Sequence, residues 1–177
     1  MPLEPISEEA FRVAAHAHGY LRGRWLYLRH VARIVTELRP ERVLEIGPGP
    51  QPFVPGSDSL DVDPSFGPTH VHDAGAVPWP IASGSYDLVI GLQCWEHFEG
   101  RQQDAFREAM RVAGLGGHVL LSVPFMWRRT NATHSGIGVA RIREWTLGVE
   151  AKRRLLVKKP EDRKRMVLLF RGGDVHP

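Results

Sequence analysis

The chain has 177 residues, 42% of them hydrophobic and 24% charged, with a formal net charge of +3. This is enough material for one folded unit with a sizeable core, and neither disorder nor a fibrous repeat fits the composition. There is no charged-then-apolar leader pattern and no long uncharged apolar run. The lone cysteine, Cys94, excludes an internal disulfide framework and suits a reducing cytoplasm.

In chain order, Ser7 followed by Glu8 and Glu9 reads as a helix cap with acids in the first turn, predicting a helix from Glu8 to His18 before Gly19. Apolar residues at helical spacing, among them Leu28, Val31, Ile34 and Val35, predict a second helix over 21–38, ended by Pro40. Val43 to Ile46 is a short apolar run that stops at Gly47-Pro48-Gly49-Pro50, as a buried strand entering a tight glycine turn does. Leu60-Asp61-Val62-Asp63 is a second strand ending on a carboxylate. A glycine turn lets a ligand approach the backbone, and an acid at the tip of the neighbouring strand can accept from ribose hydroxyls. That pairing predicts a nucleoside-cofactor site.

Thr69 to His72 reads as a third strand with Asp73 at its exit. Asp87 to Leu92, apolar after its first residue, is a fourth, buried on both faces as in a parallel sheet. Gln103 to Val112 is a predicted helix, and His118 to Val123 a fifth strand closed by Pro124. A short helix over 142–147 follows. Strands over 154–158 and 166–170 then flank Pro160-Glu161-Asp162 as an antiparallel edge.

Four ordered segments carry a family resemblance: Glu45-Ile46-Gly47-Pro48-Gly49 with Asp63, His72-Asp73-Ala74 with Pro78-Trp79-Pro80, Tyr86 to Ile90, and Glu96-His97-Phe98. Arg107 to Val112 and Gly116 to Leu121 continue it. Over about residues 43–125 the chain resembles class I S-adenosylmethionine-dependent methyltransferases of the small type 11-like group. The resemblance implies an α/β, Rossmann-like, doubly wound and mostly parallel sheet with an antiparallel C-terminal edge and N-terminal helices. It divides one domain, 1–177, into a helical cover (1–40), a cofactor-binding core (41–125), and a substrate loop with closing strands (126–177). It further implies S-adenosyl-L-methionine as cofactor, held by Glu45, Gly47, Pro48, Gly49, Asp63, Asp73, Ala74 and Leu92, with Asp73 on the adenine amino group and the Ala74 amide on a ring nitrogen.

Two departures stand out. Pro50 occupies the place of the family's third glycine, and residues 51–56 are too short and proline-rich for the usual helix between the first two strands. On the acceptor side, His97 is the candidate base, since histidine titrates near neutrality. Glu96, Trp127 and His134 are candidate substrate contacts on the ligand-bearing sheet edge. The absence of an Asn-Pro-Pro-Tyr-like segment leaves a small-molecule or sugar-type hydroxyl or amine as the expected acceptor. The alternatives are a nucleoside-binding protein without turnover and a nicotinamide-dependent enzyme.

No metal is predicted, because His16 and His18 diverge on a helix and His70 with His72 lacks further ligands. The late basic residues, from Lys152 to Arg171, read as a solvated strand face in preference to a nucleic-acid patch.

Overall fold

Side-chain parity along short strands decides how this chain is layered. In the computed structural model, which describes residues 1–18, 22–127, 136–158 and 164–173, β1 (Val43–Ile46) sends Val43 to one side of a sheet and Leu44 and Ile46 to the other. On the first side Val43 joins Leu88, Ile90, Leu120, Val167 and Leu169 beneath α1 (Glu8–Ala17) and α2 (Trp25–Leu38). On the second, Leu44 and Ile46 join Val89, Val119, Leu121 and Phe170 against α3 (Gln102–Ala113) and α4 (Val139–Trp145). The central strands of the sheet are buried on both faces, so both of their parities must be apolar.

The sheet adds β2 (Asp58–Asp61), β3 (His70–Val71), β4 (Leu88–Leu92), β5 (His118–Phe125), β6 (Arg153–Lys158) and β7 (Lys164–Arg171), in the order β3-β2-β1-β4-β5-β7-β6. The pairs from β3 through β5 are parallel, and β7 runs antiparallel between β5 and β6. This is a Rossmann-like α/β sheet, with the reversal of strand order between β1 and β4 that opens a crevice at the carboxyl ends. The antiparallel strand is thus inserted beside β5, with β6 outside it.

Several boundaries differ from the sequence reading. A 3-10 turn, Arg22–Arg24, precedes α2. β5 does not stop at Pro124 but runs to Phe125, opposite Lys164. β2 ends at Asp61, two residues early, because Asp63 caps a 3-10 turn over Pro64–Phe66 by accepting from the Ser65 N–H at 2.9 Å. The basic late residues do not form one face: Arg165 is buried, and Arg153 pairs with Glu37 of α2. Residues 159–163 lie outside the described residues.

The turn before β5 rests on two glycines with different reasons. Gly116 has φ +87° and open space around it, whereas a Cβ on Gly117 would fall 2.1 Å from the Ala113 carbonyl oxygen. Gly116→Ala is therefore expected to cost about 1–2 kcal/mol of left-handed strain, and Gly117→Ala at least about 3 kcal/mol, because backbone must shift. Urea unfolding of both variants checks this, and equal losses would contradict it.

Candidate functional site

Glu45 follows Val43 in parity and so faces the α1 and α2 side of the sheet, at the carboxyl end of β1. Its carboxylate is 3% exposed and accepts from the Phe53 N–H at 2.9 Å, the Val54 N–H at 2.7 Å and the Ser57 hydroxyl at 2.9 Å. Three donors favour the anion, yet burial outweighs them and pushes the Glu45 carboxyl up to about 7. The carboxylate thereby gathers the whole connection from β1 to β2, which contains no helix.

The glycine turn is fixed from the other side. Gly47 and Gly49 have φ +59° and +66°, and the Gly47 N–H donates to the Leu60 carbonyl at 2.9 Å. A Cβ on Gly47 would sit 3.1 Å from the Cys94 Cβ, so the turn packs directly on Cys94, two residues beyond the end of β4. The Gly49 N–H donates to Asp61 Oδ2 at 3.1 Å, while Asp61 Oδ1 accepts from the Asp63 N–H at 3.1 Å. Asp61 is the acid that β2 delivers to its tip. Asp63, expected there, lies beyond the strand on its capping turn. The Asp63-Pro64-Ser65 order was a readable signal, since an Asp followed by proline opens helical turns.

At the exit of β3, Asp73 Oδ1 accepts from the Gly75 N–H at 2.8 Å and Oδ2 from Arg101 Nη1 at 2.6 Å. The Arg101 guanidinium holds this carboxyl below its usual range. Trp79 positions the segment: its indole donates to the Ala74 carbonyl at 2.9 Å, and its own N–H donates to Glu108 of α3 at 2.6 Å. The Ala74 N–H makes no hydrogen bond with a described residue.

A cleft of about 180 Å³ opens at this rim. Glu45, Gly47, Pro48, Gly49 and Leu92 line it, together with Ile6 and Phe11 from the N-terminal segment and α1, Arg24, Tyr27 and Leu28 from the start of α2, and Gln93. Asp63, Asp73 and Ala74 lie outside that lining.

The residues after β4 are arranged otherwise than expected. The 3-10 turn Trp95–His97 buries Trp95 and Glu96, leaving His97 exposed and not in the cleft. Glu96, a candidate substrate contact, is turned inward: its Oε1 pairs at 3.3 Å with Arg165 Nη1, the two side chains being 0% and 3% exposed. Trp127 donates its indole N–H to the Lys164 carbonyl at 2.6 Å, and its ring lies 4.8 Å from the Arg165 guanidinium. His134 lies outside the described residues.

Tyr27 carries no mark in the sequence, Gln93 enters there only as the start of the stretch bordering the substrate, and Arg165 only as one of the late basic residues. Arg165 shares parity with Val167 and Leu169, which marks it as inward-facing. Burial raises the Tyr27 phenol to about 12, against the opposing fields of Arg165 and Arg24, so it stays protonated. The Cys94 thiol is likewise pushed up by burial and by the Glu96 charge, the opposite of an activated thiolate. Among the described residues no group of three or more His, Cys, Asp or Glu side chains could hold a metal, and no helix is long and apolar enough to cross a membrane.

Neither a protein-family model nor a curated protein sequence matches the chain. Solved structures do. The PH0226 protein of Pyrococcus horikoshii superposes with a TM-score of 0.64 at 12% identity, covering 86% of this chain and 91% of that one. The N-methyltransferase NodS of Bradyrhizobium japonicum gives 0.57 at 15% identity, covering 82% and 96%, and has also been crystallised with S-adenosyl-L-homocysteine. The [4+2]-cyclase SpnF gives 0.56 at 14% identity, covering 74% of each chain. The chain therefore has the class I S-adenosylmethionine-dependent methyltransferase fold.

The raised Glu45 pKa carries a sign. A carboxyl lifted from 4.5 to about 7 contributes stability that is fully present below 4.5 and lost as pH rises through about 7. The loss is on the order of 3 kcal/mol. The stability difference between wild type and Glu45→Gln, from urea unfolding at pH 4.5 to 8, should fall by that amount. A difference independent of pH would contradict the burial of this carboxylate.

Proposed function

We propose that the protein is an S-adenosylmethionine-dependent methyltransferase acting on a hydroxyl or amine of a small molecule. The observation that carries this reading is the hydrogen bond from the Gly49 N–H to Asp61, which joins a left-handed glycine turn and a strand-tip carboxylate into one rim. An exposed backbone turn beside a fixed acid suits a nucleoside with a polar tail. The fold's solved relatives, one of them holding S-adenosyl-L-homocysteine, support the same cofactor.

In this reading the chain's residues divide the cofactor between them. Asp61 retains lone pairs toward the ribose hydroxyls after accepting from Gly49 and Asp63. Asp73 and the Ala74 N–H offer an acceptor and a donor to the adenine edge; a carboxylate oxygen accepts more than one bond, so the Arg101 contact is compatible with this. Gly47, Gly49 and Leu92 bound the methionine end. Glu45 acts indirectly, by holding the loop that forms the cleft's floor, and α1 and α2 cover the cleft.

When bound, the cofactor supplies a methyl group already activated on a sulfonium. What remains for the protein is to hold the acceptor close and in line and to keep water out, which positioning alone can accelerate strongly. The apolar wall of Ile6, Phe11 and Leu28 excludes water. His97, in solvent, is not required as a base.

Binding of S-adenosyl-L-homocysteine by calorimetry tests the assignment. Asp61→Asn should weaken it at least about tenfold, the loss of about 1.4 kcal/mol of charge-assisted bonding, whereas Asp63→Asn should change it less than about threefold. The opposite ranking would restore Asp63 as the ribose acid. No binding to wild type would remove the proposal.

A further inference from the structure

The base end of the rim is held by a residue that neither the glycine turn nor the strands supply. Arg101 closes the loop after the 3-10 turn Trp95–His97 and stands at the N-cap of α3, where its side chain makes no capping bond. A cation there opposes the helix macrodipole, and a serine or aspartate would satisfy the free N–H groups better. Arg101 instead reaches back 28 positions, its Nη1 donating to Asp73 Oδ2 at 2.6 Å, while its Nε donates to the Phe98 carbonyl at 3.2 Å. With the two side chains 43% and 42% exposed, the ion pair adds little to stability.

The segment it touches is fitted to it. Gly75 does not lie in the left-handed region, so its backbone does not call for glycine. The three atoms nearest to a Cβ built there all belong to Arg101: Cζ at 2.7 Å, Nε at 2.8 Å and Nη1 at 3.0 Å. The guanidinium thus lies face-on against Gly75, in space that any side chain would take.

The Gly75 N–H donates to Asp73 Oδ1 at 2.8 Å, and the Ala74 carbonyl accepts from the Trp79 indole at 2.9 Å. The peptide between Ala74 and Gly75 is therefore held at both ends. Asp73 carries one bond on each oxygen, which fixes its plane, and the Arg101 guanidinium keeps it ionised. An ionised carboxylate only accepts. Outward, this corner offers lone pairs from Asp73 and a donor from the Ala74 N–H, which has no partner among the described residues.

We infer that Arg101 is the positioning residue for recognition of the cofactor's base: by fixing Asp73 as an acceptor beside the Ala74 donor, it makes the rim select a 6-amino purine over a 6-oxo purine. The inference rests on the methyltransferase reading above. Adenine presents an amino donor next to a ring-nitrogen acceptor and matches both groups. Hypoxanthine presents a carbonyl next to a ring N–H, setting acceptor against acceptor and donor against donor. Without Arg101, Asp73 is free to turn or to take up a proton, and in either state it no longer refuses the carbonyl.

Calorimetry of the full chain with S-adenosyl-L-homocysteine and its 6-oxo counterpart, S-inosyl-L-homocysteine, tests this. The wild type should prefer the adenosyl compound by about a hundredfold or more. Arg101→Ser should cut that preference about tenfold, while its urea midpoint stays at or above that of the wild type, because serine caps α3. Gly75→Ala, which pushes the guanidinium aside without removing it, should cut the preference at least about threefold. Arg101→Lys, with a single ammonium able to reach Asp73, should lose less than Arg101→Ser.

A wild type that binds both compounds alike, or an unchanged preference in Arg101→Ser, overturns the inference and leaves the methyltransferase reading standing. Equal weakening of both compounds together with a lower urea midpoint also overturns it, since Arg101 would then be a brace for the fold. If Arg101→Ser does not fold, Gly75→Ala decides by the same criteria. Failure of the wild-type chain to bind S-adenosyl-L-homocysteine removes both readings.

Discussion

The architecture of this rim depends on one buried carboxylate. In a connection too short for a helix, the backbone N–H groups after the glycine turn have no regular ladder to join, and buried N–H groups without partners are costly. Glu45 takes two of them and a serine hydroxyl onto its own oxygens. Where a helix would ordinarily end the first strand, a single side chain does the work of closing the loop. The protonation of that side chain is set by a contest between burial and hydrogen bonding, in which burial prevails.

From that loop the rest of the site follows by geometry. Phe53 and Val54, anchored by Glu45, pack into the apolar layer shared by α1 and α2, so the loop pulls the N-terminal helices over the carboxyl edge of the sheet. Those helices carry Phe11 and Tyr27 to the cleft. Asp61 ties the glycine turn to the second strand, and Trp79 ties the segment after β3 to α3. The rim is therefore assembled from contacts that each span a different pair of elements.

Much of this was legible in sequence because it is local. Val43 to Ile46 ended by Gly47, the apolar run of β4 and the turn at Gly116-Gly117 each announce themselves within a few residues. The residue at the tip of β2 was harder. Asp61 and Asp63 share a strand face by parity, and only the proline after Asp63 tells which of them leaves the strand. The cluster around Gln93 was not legible at all, since Arg165 meets Glu96 across 69 positions and Tyr27 meets Gln93 across 66. A lysine- and arginine-rich strand reads as a solvated edge until its neighbours in the sheet are known. Insertion of β7 between β5 and β6 is what turns Arg165 inward, and that order is a property of topology.

The central claim is that an adenosyl group lies across the carboxyl rim, between the tips of β2 and β3, with its amino-acid tail toward Gly47 and Gln93. A crystal structure of the chain grown with S-adenosyl-L-homocysteine tests it most directly. The account predicts ribose hydroxyls within hydrogen-bond distance of Asp61, the adenine edge at Asp73 and the Ala74 N–H, and the tail beneath Phe11 and Tyr27. Density for the nucleoside elsewhere on the molecule, or a rim closed by its own side chains, would contradict it.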